Sequence, residues 1–227
     1  MIKIFIGYDP NETVAYHVLS HSILELASEP VSITPIKLEH IKSFFDRERV
    51  REQSTEFSFS RFLTPYLSGY QGWSIFMDCD FLCLDDVARL YACRDTQYDV
   101  MVVKHDHKPK ERVKFLGALQ TQYEKKNWSS LMLFNNKRCT RLTPEYVNTA
   151  SGLQLHQFHW CTKIGALNPA WNHLVGYDQY NPVPKMVHFT EGGPYFDEYR
   201  DCEYANDWFA AKARMEHATQ REESGAA

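Results

Sequence analysis

Two aspartates inside an apolar run are the residues of this 227-residue chain whose type and spacing most suggest chemistry. Residues 73 to 84 read Trp-Ser-Ile-Phe-Met-Asp-Cys-Asp-Phe-Leu-Cys-Leu, the pattern of a buried strand, and Asp78 and Asp80 interrupt it. Carboxylates at i and i+2 lie on the same side of an extended chain. Desolvating such a pair without a partner is costly, so the arrangement suits a strand end where both acids meet a divalent cation. With 13 aspartates in 227 residues, Asp-x-Asp arises by chance roughly 0.7 times in a chain like this, so the motif draws its weight from its setting. Trp73, Ile75, Phe76 and Met77 precede the pair, and Asp85-Asp86 follow Phe81 to Leu84, which places acids at a strand exit. A pair of acids in a solvated turn is the plainer reading.

Two carboxylates need further donors to hold a metal. With oxygen ligands and a bound phosphate, one imidazole suits Mn²⁺ or Mg²⁺. His188 follows the apolar Met186-Val187 and opens His-Phe-Thr-Glu-Gly-Gly-Pro-Tyr, where Gly192 and Gly193 would let backbone N–H groups approach a phosphate. A core histidine beside a turn is the alternative.

The elements that must carry these residues alternate. Ile2 to Ile6 reads as a strand ended by Gly7-Tyr8-Asp9-Pro10, and Glu12 to Ala27 has helical spacing through Val14, Val18, Leu19, Ile23 and Leu26. Val31 to Leu38 reads as a second strand, and Phe62 to Leu67 as a short helix leading to the Asp-x-Asp strand. Asp99 to Lys104 and Trp128 to Asn135 read as further strands. Strands alternating with helices predict an α/β sandwich with a largely parallel sheet, whose ligands bind at the carboxyl ends of the strands. Tyr8-Asp9 and Asp78-Asp80 both fall at such ends. Ala210 to Ala227 is charged and rich in small residues, and is expected to be a frayed helix or disordered.

Bulk properties narrow the function. The length fits one domain with a substantial core. A net charge of -4 without a basic block argues against a nucleic-acid partner. An aromatic share of 14% suits sugar or base stacking as well as core packing. Six cysteines at 79, 83, 93, 139, 161 and 202 lack Cys-x-x-Cys spacing, and the opening Met-Ile-Lys-Ile-Phe-Ile-Gly is too soon broken for a signal peptide. Free thiols in the cytoplasm are therefore expected. No apolar run approaches the length of about 18 residues that spans a bilayer, which leaves room only for peripheral membrane contact. The oligomeric state has no signature here.

Five segments carry a resemblance: Ile-Phe-Ile-Gly-Tyr-Asp (4 to 9), Ser-Arg-Phe-Leu-Thr-Pro-Tyr-Leu (60 to 67), Met-Asp-Cys-Asp (77 to 80), Asn-Trp-Ser-Ser-Leu-Met-Leu-Phe-Asn (127 to 135) and the His188 segment (188 to 195). In this order they resemble GT-A fold glycosyltransferases, most closely family 8 and its bacterial relatives, over residues 1 to 195. The resemblance implies a single-domain, Rossmann-like GT-A fold over residues 1–209, its mostly parallel central sheet flanked by helices. It implies transfer of a sugar, of the hexosyl type and with retention favoured over inversion, from a nucleotide-sugar donor. UDP-sugar is the favoured donor, and the acceptor is a hydroxyl on a glycan or small molecule, such as a cell-surface or extracellular glycan precursor. Asp78, Asp80 and His188 are the implied Mn²⁺ (or Mg²⁺) ligands. Tyr8 and Asp9 are implied to hold base and ribose. Arg61 is implied to reach donor phosphate or sugar oxygens or the metal-binding acids, and Asn127 with Ser129 the donor sugar.

The chain also departs from the family pattern. Ser130 stands where glycine is usual, which puts close backbone approach in question. Leu155 to Trp160 occupies the place of an Asp-Gln-Asp stretch, and only Gln157 matches; His156 or His159 could line the sugar site instead. Without those acids, catalysis would rest on positioning and on stabilising the leaving group, with Gln157 and His156 the candidate catalytic residues. A phosphate-binding lysine is missing after His188, and Lys185, Lys104 and Lys108 are its candidate replacements. Two rival readings remain. A haloacid-dehalogenase-like, Mg²⁺-dependent phosphatase also places Asp-x-Asp after an apolar strand, but it wants Thr or Val where this chain has Leu82. A non-catalytic nucleotide-sugar binding module would account for the missing acids and lysine.

Overall fold

The computed structural model describes residues 1–48, 53, 55–106 and 124–217. Strand β1 (Ile2–Gly7) is a buried β-branched run, and a short 3-10 turn, Pro10–Glu12, leads into helix α1 (Thr13–Leu26). Ala15, Val18, Leu19, Ser22 and Ile23 form the buried stripe of α1, the i, i+3, i+4 spacing of an amphipathic helix. Strand β2 (Val31–Ile36) pairs in parallel with β1 and completes a βαβ unit. Pro35 cannot donate to a ladder, and β2 is accordingly an edge strand. Helices α2 (Leu38–Ile41) and α3 (Thr64–Leu67) follow, the latter continuing a 3-10 turn at Ser60–Leu63.

The apolar run expected as one strand from residue 73 to 84 is two strands. Strand β3 (Trp73–Met77) pairs with β1, whereas β4 (Phe81–Cys83) belongs to a second sheet. Residues 78–80 form the turn that crosses between the sheets, so proximity of the two carboxylates comes from this turn rather than from pleat alternation. Helix α4 (Val87–Ala92), capped by the Asp86 side chain, precedes β5 (Val100–Val102). The strand expected from Trp128 begins only at Leu131, after a 3-10 turn at Trp128–Ser130, and is β6 (Leu131–Asn135). Helices α5 (Pro144–Thr149) and α6 (Gly152–His156) are capped by Thr143 and Ser151, and β7 (Ile164–Ala166), β8 (His173–Leu174) and β9 (Met186–His188) follow. Helix α7 (Ala205–Glu216) closes the described chain.

The main sheet has the order β2-β1-β3-β6-β5-β7, with β6 antiparallel to both neighbours and the other pairs parallel. The smaller sheet has the order β4-β9-β8. This is the expected α/β architecture, a mostly parallel central sheet flanked by helices. The expected boundary at residue 210 falls inside α7, whose Trp208 and Ala211 are buried in a second apolar cluster with Val18, Leu82, Val187 and Phe189. The part of the expected tail that is described is thus packed helix, because Trp208 and Ala211 cover the smaller sheet; residues 218–227 lie outside the described residues.

Candidate metal and donor site

Strands β1 and β3 run in parallel and end side by side, Ile6 opposite Met77. Because β6 is antiparallel, it starts at that same edge, with Leu131 opposite Met77. The segments at 8–9, 78–80 and 127–130 therefore meet at the carboxyl ends of β1 and β3, where open α/β sheets bind ligands. Gly7 allows a further close approach there: a Cβ on it would lie 2.3 Å from the Phe57 ring.

Asp78 donates its backbone N–H to the Ser130 carbonyl at 2.9 Å, and its carboxylate lies 2.8 Å from Nη1 of Arg61. The buried guanidinium also donates to the carbonyls of Ser129 (3.1 Å) and Phe57 (3.3 Å). The geometry pairs Arg61 with Asp78. Strand register places the second half of the site. Phe81 pairs with His188 in the β4–β9 ladder, and Phe189 N–H donates to the Asp80 carbonyl at 2.9 Å, so Asp80 and His188 are held next to one another. His188 Nε2 is 3.4 Å from Asp80 Oδ1, and the Phe81 ring lies flat on the imidazole at 4.3 Å. One ligand atom each of Asp78, Asp80 and His188 lies within 4.8 Å of the others, and the residues are 8%, 7% and 2% exposed. Two carboxylate oxygens and one imidazole nitrogen, largely out of water, fit a divalent cation of the Mn²⁺ or Mg²⁺ type that completes its shell with non-protein oxygens.

Two contributors, Asn172 and Glu12, have no functional role in the sequence reading. Asn172, fully buried, lies with Oδ1 3.1 Å from His188 Nδ1 and donates Nδ2–H to Ser130 Oγ at 2.9 Å. Ser130 Oγ in turn donates to the Asn127 carbonyl at 2.7 Å. Behind the turn, buried Glu12 accepts the Tyr195 hydroxyl at 2.6 Å, and Cys79 Sγ lies 3.9 Å from its other oxygen. Burial first and the Glu12 charge second raise both the Cys79 thiol and the Tyr195 hydroxyl well above their usual ranges, so both stay protonated and donate. A polar residue inside an apolar stretch, Asn172 between Trp171 and His173, is the only local signal that could have marked any of them.

Ser129 Oγ and His156 Nδ1 are 2.8 Å apart, which brings the donor-sugar and catalytic candidates together beside Arg61. Burial of the ring, followed by the Arg61 charge, holds His156 well below the ordinary histidine range and keeps it neutral. Asn127 sits in left-handed backbone (φ 64), and its Nδ2 has no hydrogen-bond partner among the described residues. Gln157 ends α6 and its carbonyl accepts Lys125 Nζ at 2.7 Å.

Tyr8 packs edge-on against Tyr16 with Lys37 Nζ 5.5 Å from its ring centre. The Asp9 carboxylate accepts the backbone N–H groups of Asn11 (2.9 Å) and Glu56 (3.0 Å) and thereby shapes the loop. Gly192 N–H is spent on the Phe189 carbonyl at 2.9 Å, and a Cβ on Gly193 would lie 2.2 Å from the Tyr195 ring. Close packing is therefore a reason for glycine at 193. Lys185 pairs with Asp85 and stands over the Trp171 ring, Lys104 Nζ donates to the Ile164 carbonyl, and Lys108 lies outside the described residues. His159 is exposed.

Comparison with solved structures sets this arrangement in a known fold. The bifunctional glycosyltransferase WbbM (TM-score 0.65, 14% identity) covers 98% of this chain, which spans about half of WbbM, 52%. GlyE of Streptococcus pneumoniae (TM-score 0.60, 12% identity) covers 97% of this chain and is itself 63% covered. The galactosyltransferase LgtC, solved with donor and acceptor sugar analogues, matches with TM-score 0.57 and 12% identity over 93% of this chain and 95% of its own. At these identities the likeness shows the fold alone, and that fold is GT-A. No protein-family model matches the chain. Protein CDI of Arabidopsis thaliana is 49% identical over 217 residues, 91% of this chain and 84% of that protein. At that identity and coverage, the chain belongs to the family of Protein CDI.

Proposed function

We propose that this protein is a divalent-metal-dependent glycosyltransferase of the family 8 type, moving a hexosyl group from a UDP-sugar to a hydroxyl acceptor with retention of configuration. The convergence of Asp78, Asp80 and His188 at the carboxyl edge of a GT-A sheet carries the reading. When bound, Mn²⁺ or Mg²⁺ would offset the charge that develops on the departing nucleoside diphosphate. Arg61 holds Asp78 in place through a buried ion pair, and Glu12 supports the same turn through Cys79 and Tyr195. Tyr8 and Asp9 are assigned to the base and ribose, with the Gly192-Gly193 turn beside the diphosphate. Asn127 and Ser129 are assigned to the donor sugar. Neutral His156 orients the Ser129 hydroxyl, and Gln157 lies next to it in the chain. In this reading the site accelerates transfer by holding donor and acceptor in register and by electrostatic stabilisation, without a carboxylate nucleophile. A cytoplasmic setting is supported by the six cysteines, all free thiols.

Release of UDP from a panel of UDP-sugars, with and without Mn²⁺, tests the proposal. Asp80→Ala should lower Mn²⁺-dependent release by more than about a hundredfold, beyond what loss of an outer-shell partner costs. Unchanged release in that variant would sink the metal assignment. Mn²⁺-dependent UDP binding without turnover on any donor would instead favour a binding module.

A further inference from the structure

Hydrogen bonds at the site form a line with a fixed direction: His188, Asn172, Ser130, Asn127. The direction follows from its last member. The Asn127 backbone carbonyl can only accept, so the Ser130 hydroxyl must spend its one proton there, at 2.7 Å. Ser130 Oγ then meets Asn172, 2.9 Å away, as an acceptor, which obliges the Asn172 amide to present N–H to Ser130 and its oxygen to His188. That oxygen, 3.1 Å from His188 Nδ1, accepts, so the ring proton sits on Nδ1. Nε2 is then the nitrogen that faces Asp80, 3.4 Å away, and the Phe81 face fixes the ring plane.

The geometry points to Ser130 and Asn172 as positioning residues that set the tautomer of His188 for metal ligation and tie it to the loop carrying Asn127. Metal-bound imidazole requires a bare ligating nitrogen, and the partner of the other nitrogen decides which one is bare. In this chain that partner is itself oriented by a hydroxyl where the resembled family has glycine, so the serine and the asparagine act as a pair. The same relay couples the two halves of the site: a shift of the Asn127 carbonyl propagates through two side chains to the metal ligand. The consequence for metal binding rests on His188 being a ligand, as proposed above, whereas the proton position does not.

¹⁵N-resolved NMR of the His188 ring in the metal-free full-length protein tests the proton position directly. A proton on Nδ1 is expected, and an Nδ1 without one overturns the relay. Ser130→Ala releases the amide of Asn172 to turn over, and the expected result is a mixture of His188 tautomers with Mn²⁺ binding, read by calorimetry, weakened about tenfold. Asn172→Asp keeps an acceptor against Nδ1 and should retain the wild-type tautomer even where Ser130→Ala loses it. If Ser130→Ala keeps both the wild-type tautomer and the wild-type affinity, the relay is refuted. Should the wild-type protein show the expected tautomer yet bind no Mn²⁺, the relay stands on the tautomer shifts while the metal assignment fails.

Discussion

His156 shows how a single environment fixes a protonation state. Its ring packs against Phe59 and Phe62 and sits beside the Arg61 charge, with Lys126 and Arg47 further contributors of the same sign. Each disfavours the imidazolium, so the folded protein keeps the ring neutral well below its ordinary value of 6.5. Above that value neither state binds the proton and the residue adds no pH dependence. Below it, the unfolded chain takes up a proton that the folded chain refuses, and stability falls as pH falls, by at most about 1.4 kcal/mol per pH unit. His156→Gln should therefore show a shallower loss of urea stability than wild type between about pH 6.5 and about pH 5, and the same slope near neutrality. Identical slopes in the acidic window would contradict the assignment. Residue type and spacing alone were enough to bring forward Asp78, Asp80 and His188. Glu12 and Asn172 escaped because a buried polar residue has meaning only through its partner, and the partners Tyr195 and His188 lie 183 and 16 positions away.

At the scale of elements, β-branched and aromatic runs made β1, β3 and β6 legible, and the apolar stripe made α1 legible. Strand direction was not, since Leu131–Asn135 reads the same whether it runs with or against β3. Its antiparallel course decides that Ser129 and Ser130 stand beside Asp78. Helix α7 was not read from the sequence because its composition is that of a solvated tail. Its outer face is charged, Lys212 pairing with Glu216 and Arg214 with Glu25 of α1, whereas Trp208 is 1% exposed and packs on Tyr195 with ring centres 5.4 Å apart. Trp208→Ala opens a cavity of aromatic size between α7 and the smaller sheet and should cost about 3–5 kcal/mol in a denaturant titration. A loss below about 1 kcal/mol would be the behaviour of a frayed end and would reject this packing.

Over the whole molecule, the candidate site is the seam between two sheets. Asp78 leaves the main sheet, Asp80 enters the smaller one, and His188 comes from the strand that pairs with β4. Neither sheet holds the site alone, so a cation bridging the three residues would also tie the sheets together. A ligand that binds only the folded state stabilises it by about 2.7 kcal/mol at 100 times its dissociation constant. In a chain of this size about 1 kcal/mol moves the melting temperature by about 2–4 °C, so saturating Mn²⁺ with UDP should raise Tm by roughly 5–10 °C. UDP without the metal should give a smaller rise, because the diphosphate would then lie beside two carboxylates, one of them already paired with Arg61. A chelator should return Tm to its starting value. Asp80→Ala removes a proposed ligand at the seam and should abolish the metal-dependent part of the rise. An equal rise in wild type and variant would place the cation elsewhere, and no rise with any nucleoside diphosphate would reject the donor site itself.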